Sequence, residues 1–263
     1  MAMCLIFAAC VLILTVLWIY IGKDWSFSFL ANAMFFPTLL LPLFVENYVE
    51  FIITITGINE IQKSLLYSFV AIIAVYVLVY GCVALGTLLS WATKVDMPTQ
   101  GGNAIHEHNS DIIKGFIRAA GEEIGWRCYL LPCLLSIYSP TLALLISGII
   151  WGLFHVPVMI LLTYKLKVPR PYLTIFVQSL SCVLMAYLIG WIAVKSKFSL
   201  WACSILHCVW NRVNPSILGS IYTQTSGEYK GEQWKINGEG LAGCLVFLPV
   251  ALLCVYDLDF TIL

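Results

Sequence analysis

Three short clusters of ionisable and amide residues are the candidates for chemistry in this 263-residue chain. Each cluster lies within an otherwise apolar stretch, where an ionisable side chain costs several kcal/mol and therefore indicates function by default. Together the clusters contain both histidines that lie in apolar segments. In chain order they are Glu122 and Glu123 with Arg127, Trp151 with His155, and His207 with Asn211.

The spacing within the clusters predicts which side chains share a helix face. Glu123 and Arg127 are four residues apart, so on a helix they are neighbours and we expect them to form an ion pair. Glu122 projects about 100° away from Glu123, so Arg127 does not neutralise it in the same way. His207 and Asn211 are also four residues apart and are expected to project to the same side.

The three clusters are predicted to lie at similar depth. At 1.5 Å per residue, Glu122 lies about 17 Å into its predicted helix. His155 lies about 12 Å, and His207 about 10 Å, before the ends of their helices. Because successive membrane helices alternate in direction, all three depths are measured from one membrane face. The sequence therefore predicts that a carboxylate and two imidazoles meet in one cavity.

This set of residue types suits the hydrolysis of an amide bond. A Glu removed from bulk water is a better base for activating a water molecule, and a His can share that water. A second His and an Asn supply hydrogen-bond donors for the oxyanion. Glu122, His155 and His207 are equally the ligand types of a catalytic zinc site. No HExxH motif is present, which excludes a zincin-type helix, but a metal held between separate helices stays open.

The composition of the chain indicates the environment of these residues. Charged residues make up 11% of the chain and hydrophobic residues 61%, with a mean hydropathy of +0.93. A soluble protein of this length has too small a core to bury so much apolar surface. The net charge is zero, with 14 basic and 14 acidic residues, which argues against a nucleic-acid partner. We therefore expect a single integral membrane domain over residues 1–263, with the lipid bilayer as its surroundings.

Eight apolar runs predict an all-α, polytopic membrane helix bundle with about eight transmembrane helices. Pro37 and Pro42 are expected to kink the second run, and the Asn214-Pro215 pair is expected to end the seventh. We interpret the segment from Lys94 to Ser110, with its adjacent His and Glu residues, as a solvated loop. The predicted runs are residues 3–21, 27–45, 64–93, 111–135, 139–163, 171–194, 198–213 and 240–256.

The basic residues in the loops predict an orientation. With eight alternating helices, seven of these Lys and Arg residues fall on one side and three on the other. Since cytoplasmic loops carry an excess of Lys and Arg, the first side is predicted to be cytoplasmic, with both termini outside and the active site toward the cytoplasmic face. The seven are Lys23, Lys94, Lys165, Lys167, Arg170, Lys230 and Lys235, and the three are Lys63, Lys195 and Lys197.

Glu-Glu-x-x-x-Arg, aromatic-x-x-x-His and His-x-x-x-Asn, in this order on successive helices, resemble the CPBP family of intramembrane proteases. That family joins the CAAX prenyl endopeptidases with bacteriocin-processing and immunity-type (Abi) membrane proteins. The resemblance covers residues 112–214, the predicted catalytic core. It implies that Glu122 activates water with the assistance of His155, and that His207 and Asn211 form the oxyanion site. Glu123 with Arg127 would be a supporting pair.

One residue departs from the family pattern, because Trp151 stands where the second motif usually has Phe. We expect this exchange of one large aromatic residue for another to affect packing only. The sequence Gly125-Trp126-Arg127 resembles the prokaryotic form of the first motif. It favours a protein of a prokaryotic cell membrane that acts on a peptide or membrane-protein substrate, rather than on a prenylated CAAX protein.

The resemblance leaves the mechanism and two other functions open. Members of the family are commonly described as metalloproteases, which would imply a divalent metal such as zinc, yet the same residues suit a metal-free mechanism. A catalytically silent scaffold or bacteriocin-immunity partner is the alternative function. A transporter that uses the Glu and His residues as a proton relay ranks last, because the chain has no internal repeat.

Overall fold

A computed structural model describes residues 2–95 and 104–261, and it confirms the predicted all-α membrane bundle. Its strands within these ranges are one antiparallel pair, β1 (Thr93–Lys94) with β2 (Tyr229–Lys230). The α-helices are α1 (Ala2–Ile21), α2 (Phe27–Leu30), α3 (Phe36–Leu40), α4 (Tyr48–Ile55), α5 (Ile61–Leu88), α6 (Ala104–Gly125), α7 (Leu131–Leu135), α8 (Pro140–Lys165), α9 (Pro171–Lys195), α10 (Leu200–Leu218), α11 (Gln233–Ile236) and α12 (Leu241–Thr261).

Five helical segments in the described ranges are long and apolar enough to cross a membrane. The other three predicted runs are helical but are either broken or interrupted by polar side chains. Two of these three, α6 and α10, carry the first and third clusters, and Glu122, Glu123 and His207 on them are buried. The five segments are Met3–Ile21, Tyr48–Leu88, Pro140–Lys165, Pro171–Lys195 and Gln233–Asp259.

The second run is broken rather than kinked. Between α2 and α3 the chain forms a 3-10 helix, Ala31–Phe35, and a second one, Leu41–Leu43, follows α3. Pro37 and Pro42 lie at the starts of α3 and of the second 3-10 helix. Because a proline has no backbone N–H and clashes with the preceding turn, each one favours a new helical segment over continuation.

The fourth run differs from its prediction at both ends. Helix α6 already begins at Ala104, so the predicted loop is wrong from that residue onward, while the side chains of His106, Glu107 and His108 lie outside the described residues. A π-helical segment, Trp126–Leu130, separates α6 from α7. Pro132 lacks the N–H that would reach back to residue 128, and the wider turn accommodates this gap.

Helix α10 continues through the predicted Asn214-Pro215 turn to Leu218. The prediction was wrong because a proline in the last turn removes only one hydrogen bond, and membrane helices tolerate that loss. Tertiary contacts also hold this turn. Asn214 Nδ2 donates to Asn237 Oδ1 at 2.9 Å, and Asn214 Oδ1 accepts from the Gly238 N–H at 3.1 Å.

Small residues let helices α8 and α9 approach closely. A methyl group at Gly148 would meet the Val183 carbonyl oxygen at 3.0 Å, and one at Gly152 would meet the Ser179 carbonyl oxygen at 3.1 Å. This small-x-x-x-small spacing is typical of membrane helix pairs. Helix α10 in turn packs on α5, α6 and α9, so it connects α6 to the pair formed by α8 and α9.

Candidate active site

All four residues predicted to be catalytic line one cavity of about 240 Å³. Helix α6 contributes Glu122, α8 contributes His155, and α10 contributes His207 and Asn211. The cavity also touches α1 and the broken segment that begins at Phe27. Three separate helices therefore bring the candidate side chains to one cavity, as their similar depths predict.

The two adjacent glutamates of α6 have different surroundings. Glu122 is 1% exposed and lines the cavity, whereas Glu123 is completely buried and does not line it. Glu123 Oε1 lies 3.2 Å from Arg127 Nη1, and Arg127 is also fully buried. The helical turn thus separates a carboxylate that faces the cavity from an ion pair behind it.

Glu123 also contacts His207, a link that the sequence did not predict. Its Oε1 atom lies 2.7 Å from His207 Nδ1, and both side chains are buried. An ionised carboxylate can only accept, so Nδ1 carries the proton and Nε2 is the ring nitrogen left for a ligand. Glu123 therefore connects Arg127 to His207 and orients the imidazole. The residues are 84 positions apart, so no local spacing reports this contact.

Trp151 does more than pack. Its indole Nε1 donates a hydrogen bond to Glu122 Oε2 at 2.8 Å, and the Arg127 guanidinium lies 4.2 Å from the centre of its ring. A phenylalanine could make the ring contact but not the hydrogen bond. The expectation that the Trp-for-Phe exchange affects packing only was therefore wrong for this position.

His155 is oriented by its own helix. Its Nδ1 lies 2.8 Å from the Trp151 carbonyl oxygen, and the two rings meet edge to face at 5.2 Å. A carbonyl oxygen is an acceptor, so Nδ1 again carries the proton and Nε2 is free. Neutral His155 thus offers a lone pair. Asn211 lies one turn after His207 and its side chain is exposed.

A second polar group on the cavity wall was missed by the sequence analysis. Glu239, which lies two residues before α12, accepts from Trp210 Nε1 at 3.3 Å and from Gln178 Nε2 at 3.4 Å. Gln178 also donates to the Tyr222 hydroxyl oxygen. One signal could have found part of this group, namely the polar Gln178 inside the apolar run of α9.

The candidate ligands Glu122, His155 and His207 line one cavity but are not gathered into a metal site in this structure. Within the described ranges, no three His, Cys, Asp or Glu side chains are grouped closely enough to hold an ion. The hydrogen bonds at Glu122 Oε2 and at Nδ1 of His155 and His207 orient these side chains, and they leave Glu122 Oε1 and both Nε2 atoms as the atoms that would hold an ion. The mechanism proposed below uses only the residues of the chain.

Comparison with known proteins finds a similarity between the segment that carries the site and a family of membrane proteases. Residues 112–213 match the family model described as Type II CAAX prenyl endopeptidase Rce1-like. No curated protein matches the chain significantly. The match confirms the predicted resemblance to the CPBP and CAAX intramembrane proteases over this segment, which contains all four catalytic candidates.

Proposed function

We propose that this protein is an intramembrane endopeptidase that hydrolyses a peptide bond in a peptide or membrane-associated protein. The observation that carries the proposal is the convergence of Glu122, His155, His207 and Asn211 on one cavity within the segment that matches the protease family. A scaffold without catalytic activity would have no need to keep a base and oxyanion donors facing the same space.

In the proposed mechanism Glu122 is the general base. Trp151 already donates to Oε2, so Oε1 is the oxygen that accepts a proton from water. The neutral His155 accepts a second hydrogen bond from this water through Nε2 and thereby orients it. After the attack on the peptide carbonyl, Glu122 transfers its proton to the leaving amine, and the carboxylate is regenerated.

His207 and Asn211 stabilise the oxyanion in this mechanism. To donate from Nε2 while Nδ1 donates to Glu123, His207 must be an imidazolium. The buried carboxylate of Glu123 stabilises this cation, and Arg127 holds the carboxylate in position. Asn211 supplies the second donor from its amide. Glu123 and Arg127 are thus positioning residues that act through His207.

We also propose the surroundings of the reaction. The loop charges favour a cavity that opens toward the cytoplasmic face of a prokaryotic cell membrane. The matched family is described by its prenyl endopeptidase activity. For this chain we propose a peptide or membrane-protein substrate, since its first motif resembles the prokaryotic form.

A comparison of membrane peptides tests the proposed activity. Cells that produce the wild-type protein and cells that produce Glu122→Gln are compared by mass spectrometry of their membrane fractions. Glu228→Gln, which changes an exposed carboxylate outside the cavity, is the matched control. We expect specific cleavage products with the wild type and the control that are absent with Glu122→Gln. Identical peptides in all three, with any cellular phenotype retained, would favour the silent scaffold.

A further inference from the structure

The carboxylate of Glu239 lines the same cavity but has no cation as a partner. Its hydrogen bonds come from the indole of Trp210 and the amide of Gln178, which are both neutral donors. None of the ion pairs among the described residues involves it. Arg118 also lines the cavity, but its Nη2 atom is held by the Ser28 carbonyl oxygen at 2.8 Å. The proposed imidazolium of His207 also faces the cavity, but its ion-pair partner is Glu123. A carboxylate that forms no ion pair in a partly buried cavity attracts a positive group.

Gln178 provides an independent observation that points to the same kind of ligand. Its side chain is 3% exposed, and its Oε1 atom is a buried acceptor with no hydrogen-bond partner. Nε2 of the same amide is already used by Tyr222 and Glu239. Buried polar atoms are nearly always paired, so an orphaned acceptor on a cavity wall indicates a donor that arrives from outside the protein.

Tyr222 completes this wall without adding a charge. Burial and, after it, the carboxylate of Glu239 hold the pKa of the Tyr222 phenol well above its usual value. The phenol therefore stays neutral, and its oxygen accepts from Gln178. The wall combines one negative charge with acceptor oxygens and has no positive group of its own, which is complementary to a protonated donor.

We propose that Glu239, Gln178 and Tyr222 form a substrate subsite for a protonated amine or guanidinium. The inference rests on the proposed function, because it assigns the residue recognised beside the scissile bond. Trp210, which donates to Glu239, directly precedes the oxyanion candidate Asn211 on α10. Glu239 and Asn211 line the same cavity, so a group bound by Glu239 shares this cavity with the reacting carbonyl. The positive charge comes either from a Lys or Arg side chain or from a free amino terminus of the peptide.

Binding can be measured without cleavage in the Glu122→Gln protein, so the subsite is tested even if the catalytic proposal fails. The first probe is a short alanine peptide, acetylated and amidated at its ends, with a central lysine. The second has norleucine in place of lysine, which keeps the length of the side chain and removes the charge. The third is the norleucine peptide with a free amino terminus. Dissociation constants are determined for the purified protein in nanodiscs.

We expect the lysine probe, the free-terminus probe, or both to bind about tenfold or more tightly than the blocked norleucine probe. Glu239→Gln should abolish this preference, because the amide retains the size of the side chain but carries no charge. Glu239→Asp, which keeps the charge, should retain part of it, and the exposed control Glu228→Gln should leave it unchanged. Whichever probe is preferred identifies the source of the positive charge.

Four results would overturn the subsite. The first three are equal affinity for all three probes, absence of binding, and a preference that persists in Glu239→Gln at unchanged thermal stability. Loss of the preference in both Glu239→Gln and Glu228→Gln would equally overturn it, because a general effect of protein charge would then explain the binding. None of these results depends on whether the wild-type protein cleaves peptides, so the two proposals fail separately.

Discussion

Neighbouring residues of the first motif have different tasks, and their contacts explain why. Glu122 faces the cavity and has one oxygen free, whereas Glu123 is buried behind it and joins Arg127 to His207. Spacing alone predicted the Glu123–Arg127 pair, since both residues lie on one helix. The contact with His207 depends on how α10 packs on α6, and nothing in the local sequence encodes that distance.

Trp151→Phe tests the hydrogen bond to Glu122. Phenylalanine keeps an aromatic ring against Arg127 and His155 but leaves Glu122 Oε2 without its donor. A hydrogen bond to a charged group contributes about 1.5–3 kcal/mol, so we expect kcat/KM for peptide cleavage to fall about tenfold or more. The control is Trp201→Phe on the exposed surface of α10, which should cleave at the wild-type rate. Equal rates for both variants would contradict this role of Trp151.

A double-mutant cycle separates the structural and catalytic effects of the buried ion pair. Arg127→Met leaves the buried Glu123 carboxylate without its guanidinium, and such a change costs about 3–5 kcal/mol. Adding Glu123→Gln removes the buried charge, so thermal unfolding of the double variant should recover toward the wild type. Peptide cleavage should not recover, because His207 then has no carboxylate to stabilise its imidazolium. Recovery of cleavage together with stability would show that the pair is structural only.

At the scale of elements, helix α6, which carries Glu122 and Glu123, packs closely against the broken second run. Thr38 Oγ1 donates to the Gly121 carbonyl oxygen at 2.7 Å. A methyl group at Gly125 would clash with Pro37, whose Cα atom would lie only 3.0 Å away. Gly121 and Gly125, which are four residues apart on α6, thus allow the short helical segments of the second run to pack closely against α6. This contact explains why a run interrupted by two prolines is still ordered.

Gly125→Ala tests this close approach. Because the atom it meets belongs to the backbone of Pro37, the short helices must move, and overpacking of this kind costs about 1–3 kcal/mol. We expect a lower thermal unfolding temperature together with reduced cleavage. The matched control on α6 is Gly115→Ala, since a methyl group there would meet only Cys208 Sγ at 3.6 Å, and its unfolding temperature should not fall. Equal unfolding temperatures for both variants would count against the packing.

At the scale of the whole molecule, hydrophobic runs predicted the solvent, the fold class and the positions of most helices. The helix ends predicted from these runs were wrong where tertiary packing outweighed a local turn signal. The Asn214-Pro215 pair is a turn signal, yet contacts with Asn237 and Gly238 hold it inside α10. The four catalytic candidates were predictable because charges and histidines are rare in apolar helices. Glu239 was not predictable, because in the sequence a carboxylate at the edge of an apolar run looks the same as a loop residue. Only the tertiary structure shows that it lines the cavity.

The orientation in the membrane is a prediction for the whole chain. Lys167 and Lys197 are both exposed and lie in loops at opposite ends of α9. In a variant whose ten native cysteines are replaced, a membrane-impermeant maleimide applied to intact cells should label Lys197→Cys but not Lys167→Cys. Opening the cells should make both accessible. Labelling of Lys167→Cys alone in intact cells would reverse the predicted orientation.

The most direct test of the central claim is cleavage by the purified protein in liposomes. A peptide identified from the membrane comparison is incubated with the wild type, with Glu122→Gln and with the exposed control Glu228→Gln, at matched thermal stability. Removing a general base typically lowers the rate by about 10²–10⁴-fold, so we expect a loss of this size in Glu122→Gln and none in the control. A Glu122→Gln protein that cleaves the peptide within about twofold of the wild-type rate would contradict the proposed activity of this site.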